Sequence, residues 1–258
     1  MSDNGFTPYQ GGGKVDIKRF IGTIDRLFAS NDLAAAERLI DTWKAEADAL
    51  GDDRGKLSIV NEELGLTRRT GNRQKALEAV ETADALIKKL SLAENTSGAT
   101  IYVNLATTLK AFGEAEKALD YYAAAESVYF SLNMDESFEY ASLLNNRATA
   151  FSELGRFDEA ENDFLISIDI LKKLETHDGE IAVALINLAH AVYDRNEKDT
   201  DRVEKLLDEC WEYLNSPRQV RDANYAFILT KCAPSLKYFN RTDEAEAVLA
   251  VAKSIYGK

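Results

Sequence analysis

Histidine, cysteine and proline are scarce in this chain of 258 residues, which has two His, two Cys and three Pro. Neither histidine, His177 or His190, has a Cys or Asp at the spacing that a zinc site or a catalytic triad requires. No Walker loop, dinucleotide fingerprint, nucleophile elbow or metalloprotease motif occurs either. The sequence therefore argues against an enzyme, and we predict no catalytic residue, no metal and no cofactor.

The two cysteines and the longest apolar runs exclude two further classes of protein. Cys210 and Cys232 lie far apart, form no CxxC motif and follow no secretory leader, so we expect them to be buried as small hydrophobic residues. No apolar run approaches the roughly 20 residues that a helix needs to cross a bilayer. We expect a cytoplasmic protein outside the membrane.

Basic residues are outnumbered, with 31 Lys and Arg against 44 Asp and Glu and a net charge of −13. This balance argues against nucleic acid or an anionic membrane as the partner, because both carry negative charge. A protein or peptide partner with neutral or basic character fits better. The few prolines and the abundance of Ala, Leu, Glu and Lys are typical of a helical protein.

Residues 1–14 contain Gly5, Pro8 and three consecutive glycines and have no hydrophobic periodicity, which predicts a flexible N-terminal segment. The GGGK sequence ending at Lys14 resembles a phosphate loop only superficially. The motif requires glycine where Pro8 stands and serine or threonine where Val15 stands.

The stretch from 140 to 174 contains two helical patterns separated by Gly155. In the first, apolar residues recur at steps of four, four and three from Tyr140 to Phe151, and in the second a similar stripe runs from Phe157 to Leu171. Two short antiparallel helices cannot bury their own apolar faces, so the pair must stack on neighbours of the same kind.

The same pattern recurs along the chain as six helix pairs. In the first pair, a helix around 17–28 is followed by one at 33–50. The later pairs, each given with its first helix before its second, are 57–69 with 73–90, 96–112 with 115–132, 136–154 with 157–174, 179–194 with 200–214, and 217–239 with 242–256. We call the first helix of each pair the first-of-pair helix. A small residue opens each second helix, at intervals of 41 to 43 residues: Ala35, Ala76, Ala118, Ala160, Val203 and Ala245. Gly71, Gly113, Gly155 and Asn240 occupy the turns, where a left-handed backbone is expected after a helix.

These units resemble tetratricopeptide repeats, in the longer variety found in kinesin light chains. The resemblance is carried by YVNLATTLKAFGEAEKALDYYAAA at 102–125, LNNRATAFSELGRFDEAENDF at 144–164 and INLAHAV at 186–192. It implies an all-α fold, a right-handed α-solenoid of about six antiparallel helix hairpins, forming a single domain over residues 15–258. The sequence departs from the family at Glu63 and Arg147, where an aliphatic residue is usual, and has two extra residues in the turn at 194–200.

Two prolines lead to different predictions. Ser216 followed by Pro217 predicts the start of a helix, with serine as the N-cap and proline at the first helical position. Pro234 lies inside the last predicted first-of-pair helix and should bend it or end it early.

In proteins that resemble this one, one flank of the first helix of each pair lines a concave groove that binds peptides. The predicted groove residues are Asn61, Arg68, Arg69, Thr107, Lys110, Asn145, Thr149, Ser152, His190 and Tyr193. Asparagine amides could hold a peptide backbone, and the basic residues would favour an acidic ligand. The alternative is that these are ordinary solvated polar residues of a helix surface.

A second series of asparagines, Asn104, Asn146 and Asn187, matches the asparagine of the kinesin-light-chain motif. We expect these amides to bond to a neighbouring helix or loop. The carboxylate clamp of chaperone-binding repeats is not present, because Val103 with Thr107 and Asn145 with Thr149 stand where Lys and Asn are needed.

We therefore predict a non-enzymatic scaffold that binds a peptide or protein segment in its groove. The alternative is a peptide-sensing regulator, similar to bacterial quorum receptors, that changes curvature on binding a small signal, although no DNA-binding helix-turn-helix precedes the repeats. The wide apolar face of the first helix also suggests a homodimer formed through the N-terminal end.

Overall fold

The structure, a computed structural model, describes residues 13–257 and contains twelve α-helices and no strand within that range. The helices are α1 (Ile17–Ala29), α2 (Leu33–Leu50), α3 (Asp53–Thr70), α4 (Arg73–Lys89), α5 (Thr96–Ala111), α6 (Ala115–Ser131), α7 (Phe138–Glu153), α8 (Phe157–Lys173), α9 (Asp178–Arg195), α10 (Thr200–Leu214), α11 (Ala223–Tyr238) and α12 (Thr242–Tyr256). The predicted all-α class and the six helix pairs are confirmed. The prediction of a flexible segment falls almost entirely on residues 1–12, which lie outside the described residues.

Short polar side chains begin many of the helices. The carboxylate of Asp52 accepts a hydrogen bond from the Gly55 amide at 3.0 Å, and Asp222 accepts one from the Tyr225 amide at 2.9 Å. At the ends of helices, the backbone is left-handed at Gly71, Gly113 and Asn240, with φ of 70°, 79° and 61°. The prediction of left-handed turn residues at these positions is confirmed.

One position is equivalent in all six helix pairs. It is the fourth residue after the N-cap of the second helix. Its amide bonds to the N-cap carbonyl, and its side chain is buried: Ala36, Ala76, Ala118, Ala160, Val203 and Ala245. The choice of Ala35 in the first pair was therefore wrong by one residue. The sequence offered three consecutive alanines there, and only the N-cap position of Asp32 identifies the buried one.

The chain forms two compact units that divide between Val128 and Tyr129. In the first unit, α2 packs on α3, α3 on α4 and α4 on α5, and the Tyr102 and Tyr121 rings of α5 and α6 lie 5.8 Å apart. In the second unit, α7 pairs with α8, α9 with α10 and α11 with α12. A single domain over residues 15–258 stays a prediction.

Helix α1 packs its apolar face within the first unit. Phe20 and Ile24 are fully buried, and the Phe20 ring lies 5.7 Å from that of Trp43 in α2. The remaining apolar residues of the face, Ile17, Ile21, Leu27 and Phe28, are partly buried against the same core. This packing leaves less exposed apolar surface on α1 than the sequence alone indicates. Dimerisation through the N-terminal end stays a prediction.

Helix α11 begins six residues later than predicted. Ser216 does not act as a helix N-cap, because its hydroxyl accepts the Arg218 amide at 3.2 Å and its carbonyl accepts the Gln219 amide at 3.1 Å, which forms a turn. Arg218 then donates from Nε to the buried Asp178 carboxylate at 2.9 Å, which fixes this turn to the start of α9. The helix starts only after Asp222 has provided a cap.

Pro234 lies within α11, and the helix continues past it to Tyr238. The expected early break does not occur. Buried packing on both sides explains the continuity, since Cys232, Ala233 and Leu236 are all in the core. This packing can offset the hydrogen bond that proline removes.

The two residues that departed from the family pattern form buried ion pairs. Glu63 accepts hydrogen bonds from Lys44 Nζ at 2.7 and 2.9 Å, and Asp163 accepts a two-point contact from Arg147 at 2.6 and 3.1 Å. The carboxylates are almost completely enclosed, with 6% and 5% of their side chains exposed. At both positions, a charged residue that pairs with an oppositely charged residue of the adjacent helix replaces the usual aliphatic residue.

Cys210 and Cys232 are free and buried, as expected of small hydrophobic residues. A hydrogen bond to the Cys232 thiol, together with burial, raises the pKa of Cys210 far above its usual range. In the part of the chain that the structure describes, no helix combines the length and the apolar character that a transmembrane segment needs.

Candidate binding surface on the second unit

Helices α7, α9 and α11 together enclose an apolar pocket of about 200 Å³ on the second unit. Its walls come from the first turns of each helix: Phe138, Ala141, Ser142 and Asn145 from α7, Glu180 and Val183 from α9, and Asn224, Phe227 and Ile228 from α11. Two aromatic walls face solvent to a large extent, since Phe138 is 37% and Phe227 46% exposed. Apolar surface of this kind is available for a partner.

The floor of the apolar pocket comes from α8. Leu171 and Ser167 are both buried there, and the Ser167 hydroxyl donates to the Ala141 carbonyl at 2.8 Å. Because this bond satisfies the hydroxyl, the floor presents little unpaired polarity. The pocket therefore suits an apolar group.

A polar cleft of about 400 Å³ adjoins the apolar pocket and shares Glu180, Asn224 and Ile228 with it. Most of the remaining lining is polar or charged: Glu175, Thr176, His177, Asp178, Arg218, Gln219, Val220, Asp222 and Tyr225. The guanidinium of Arg218 pairs with Asp178, and the His177 imidazole lies 3.7 Å from the Glu180 carboxylate. The cleft thus places several acidic side chains next to the apolar pocket.

A glycine allows α11 to approach α9 beside the polar cleft. A Cβ atom at Gly179 would lie 2.6 Å from Ile228 Cδ1 and 3.4 Å from Gln219 Nε2. Contacts below 3.0 Å are not tolerated without displacement. A side chain at position 179 would therefore displace the end of the Ile228 side chain, which lines both cavities.

Four aromatic rings cluster at the other end of α9 and α11. His190 lies 5.2 Å from the Tyr238 ring and 4.7 Å from the Phe239 ring, and Tyr193 meets both of these rings edge-on. Burial lowers the pKa of His190, and the nearby Asp194 opposes this effect more weakly. The neutral imidazole is favoured at pH 7.

Protonation of His190 is expected to weaken the fold. Because its folded pKa lies below the usual value of 6.5, the unfolded chain binds more protons between these two values. The stability linked to His190 is fully present above pH 6.5 and is lost as the pH falls through the folded pKa. Urea unfolding from pH 5 to pH 8 should reveal this slope in the wild type and its loss in His190→Gln. His177→Gln serves as the control and should keep the slope.

The predicted groove residues of the second unit are engaged mainly with their own helices or with the next repeat. Asn145 Oδ1 accepts a hydrogen bond from Asn187 Nδ2 at 3.2 Å. The hydroxyls of Thr149 and Ser152 donate to carbonyls one turn back, at 2.7 and 3.1 Å. His190 and Tyr193 belong to the aromatic cluster. Of these five residues, only Asn145 lines the apolar pocket.

The predicted residues of the first unit show the same pattern. Arg68 donates from Nη1 to the Thr108 hydroxyl at 2.7 Å and to the Asn104 carbonyl at 3.4 Å, so its charge lies between two repeats. Arg69 stacks over the Phe28 ring at 4.5 Å. The Thr107 hydroxyl bonds to the Val103 carbonyl and to the Tyr122 hydroxyl, and Lys110 is half-buried near the end of α5.

The second asparagine series has largely the structural role expected of it. Asn104 Nδ2 donates to Asn61 Oδ1 at 2.8 Å, which parallels the bond from Asn187 to Asn145. In both cases the amide joins consecutive first-of-pair helices. Asn146 instead donates to the Ser142 carbonyl of its own helix at 2.9 Å.

Sequence reasoning missed most of the pocket, although a signal was present. Phe138 lies two helical turns before the predicted groove residue Asn145 of α7, and Val183 lies two turns before His190 of α9. Extending the predicted groove to the start of each helix would have found both. Within residues 13–257, no three His, Cys, Asp or Glu side chains are grouped as metal ligands would be.

Comparison with known proteins places this fold among helical-repeat proteins. Residues 141–174 match the model of a tetratricopeptide repeat, and no curated protein sequence matches the chain. BtubC (BKLC) from P. vanneervenii is similar in structure, with 21% identity, a TM-score of 0.52 and coverage of 95% of this chain and 92% of that one.

Two other solved structures are similar over most of their length. A Podosopora anserina kinesin light chain with nearly identical TPR-like repeats has 19% identity, a TM-score of 0.54, and coverage of 78% of this chain and 94% of that one. A Rap protein complexed with competence and sporulation factor has 16% identity, a TM-score of 0.57, and coverage of 96% and 77%. The predicted tetratricopeptide-type repeats are confirmed.

Proposed function

From a fold of tetratricopeptide-type repeats, we propose that this protein is a non-enzymatic scaffold that binds a segment of another protein. The observation that carries the proposal is the apolar pocket, which three successive first-of-pair helices form and two half-exposed phenylalanines border. Repeat proteins use surfaces of this kind for binding, because stacked helices present an extended face. The predicted groove residues Asn145 and Thr149 lie along the same helix as Phe138.

The structure offers a matched pair of variants to test this proposal. Phe227 and Leu165 are exposed to similar extents, 46% and 49%, but only Phe227 lines the apolar pocket. Each variant, Phe227→Asp and Leu165→Asp, should cost little stability, because substitutions at exposed positions are usually small in effect. Affinity capture from the lysate of the source organism should recover a partner with wild type and Leu165→Asp, and lose it with Phe227→Asp.

The opposite pattern would contradict the proposal. If Phe227→Asp retains the partner and Leu165→Asp loses it, the interaction uses the exposed face of α8. Circular dichroism of all three proteins must first establish that each is folded, so that loss of the partner reports on the surface.

A second function, the sensing of a small signal, is favoured by the size of the polar cleft. Its volume of about 400 Å³ falls within the range of roughly 300–1,000 Å³ typical of small-molecule sites. Under this alternative, native mass spectrometry of protein purified from the source organism would detect a bound small molecule. Its presence, together with unchanged capture by Phe227→Asp, would favour the sensor.

A further inference from the structure

The apolar pocket and the polar cleft form one continuous surface with two chemical halves. Glu180, Asn224 and Ile228 line both cavities, so a bound chain that enters one must pass beside the other. A ligand that fills both cavities must therefore place an apolar group next to a polar or charged group.

The apolar half suits a single large apolar side chain. Its volume of about 200 Å³ lies below the roughly 300 Å³ at which small-molecule sites begin. Its walls are two phenylalanine rings with Val183 and Ile228, and its floor is Leu171. An aromatic or branched aliphatic side chain could bury its surface against these apolar residues.

The polar half favours a positive charge. Arg218 is neutralised by Asp178, with Nε 2.9 Å from the carboxylate, and this leaves Glu175, Glu180 and Asp222 as the acidic groups of the lining. The His177 imidazole lies 3.7 Å from the Glu180 carboxylate. An incoming Lys or Arg would gain charge-assisted hydrogen bonds, whereas an acidic side chain would meet like charge.

We propose that the protein recognises a segment in which a large apolar side chain is flanked by a basic residue. The apolar side chain enters the pocket between Phe138 and Phe227, and the basic side chain lies against Glu180 at the junction. Asn224 is exposed at the same junction, where its amide can bond to the backbone of the segment. This inference rests on the proposed scaffold function and adds the chemistry of the partner.

The chemistry differs from the acidic ligand that the basic groove residues had suggested. Arg68 is held by Thr108 and the Asn104 carbonyl, and Arg69 stacks on Phe28. In the second unit, the cleft beside the pocket is acidic. The net charge of −13 for the chain agrees with attraction of a basic segment.

Labelled synthetic peptides test the proposal directly by fluorescence anisotropy, with protein titrated to about 1 mM because single-anchor binding is weak. The first probe is a Gly-Ser peptide that contains one Phe with an Arg on each side of it. Two further probes replace both Arg residues by Ala or by Glu. The last probe keeps the Arg residues and replaces Phe by Ala. We expect the Phe–Arg peptide to bind about fivefold more tightly than the Phe–Ala peptide. The peptide without Phe should not bind detectably.

Two variants assign the preference to the junction. Glu180→Gln should reduce the preference for Arg over Ala to nearly onefold while retaining binding of Phe peptides. Glu197→Gln, an exposed acid that lines neither cavity, is the control and should leave the ratio unchanged. Thermal melts of both variants establish that the fold is retained.

The outcomes separate this inference from the proposed function. Equal or tighter binding of the Phe–Glu peptide, or a preference that survives Glu180→Gln, overturns the basic-segment proposal. The basic-segment proposal is also overturned if the protein captures a partner through Phe227 but does not bind the Phe peptides. In that case the proposed scaffold function is retained, and only the proposed chemistry of the partner is wrong. If neither peptides nor partner depend on the pocket, both proposals fail.

Discussion

The substitution Gly98→Ala is expected to destabilise the protein by about 3 kcal/mol, the upper end of the cost of forcing an atom into a packed site. A Cβ atom at Gly98 would lie 1.9 Å from the Leu92 carbonyl oxygen and 2.7 Å from its carbon. Both are backbone atoms, so no side chain can move aside to relieve the clash. The turn from α4 to α5 would have to shift, and with it the cap that Asn95 provides to the Gly98 amide at 3.0 Å.

Gly22→Ala is the matched control. Gly22 also lies within a helix, α1, but nothing stands within 4 Å of the position that its Cβ would take. Removing a helical glycine there should stabilise the protein by about 0.5–1 kcal/mol. Urea unfolding followed by circular dichroism measures both. Equal midpoints for Gly98→Ala and the wild type would show that the close approach of this turn to α5 does not exist in solution.

The substitution Arg147→Met is expected to cost about 3–5 kcal/mol, because it leaves a buried carboxylate without its main partner. Asp163 is 5% exposed and accepts a two-point contact from the guanidinium, with the shorter distance at 2.6 Å. Methionine is close in length to the apolar stem of arginine, so loss of packing is a smaller part of the cost. The penalty comes from the loss of this two-point contact to the buried carboxylate on α8.

The double variant Arg147→Met with Asp163→Leu distinguishes charge from shape. It should recover most of the lost stability, since replacing both members of a buried pair with apolar residues is often nearly neutral. Lys172→Met removes one member of an exposed pair with Glu209 and should cost less than about 1 kcal/mol. A double variant as unstable as Arg147→Met alone would indicate that packing dominates at this site.

The architecture could be predicted from sequence because its determinants are local and repeated. The helix stripes, the left-handed turn residues and the period of about 42 residues each recur several times, so one ambiguous unit does not alter the assignment. The exceptions have local causes. Ala35 was chosen over Ala36 within a run of alanines, and the start of α11 depends on Arg218 reaching Asp178, 40 residues earlier in sequence.

The candidate site was less predictable, because it depends on contacts between repeats. Asn61 and Asn145 were correctly placed on first-of-pair helices, yet the sequence does not reveal that each accepts a bond from the next repeat. Their amides are therefore less available to a ligand than we predicted.

The central claim is that the face of α7, α9 and α11 around the apolar pocket contacts a partner. A photo-crosslinking amino acid placed at Asn224, which borders both cavities, tests this most directly, with the same group at the exposed Leu165 of α8 as the control. After illumination in cells of the source organism, we expect one protein to be crosslinked at position 224 and not at position 165. Crosslinking at position 165 alone, or identical products at both positions, would contradict the claim.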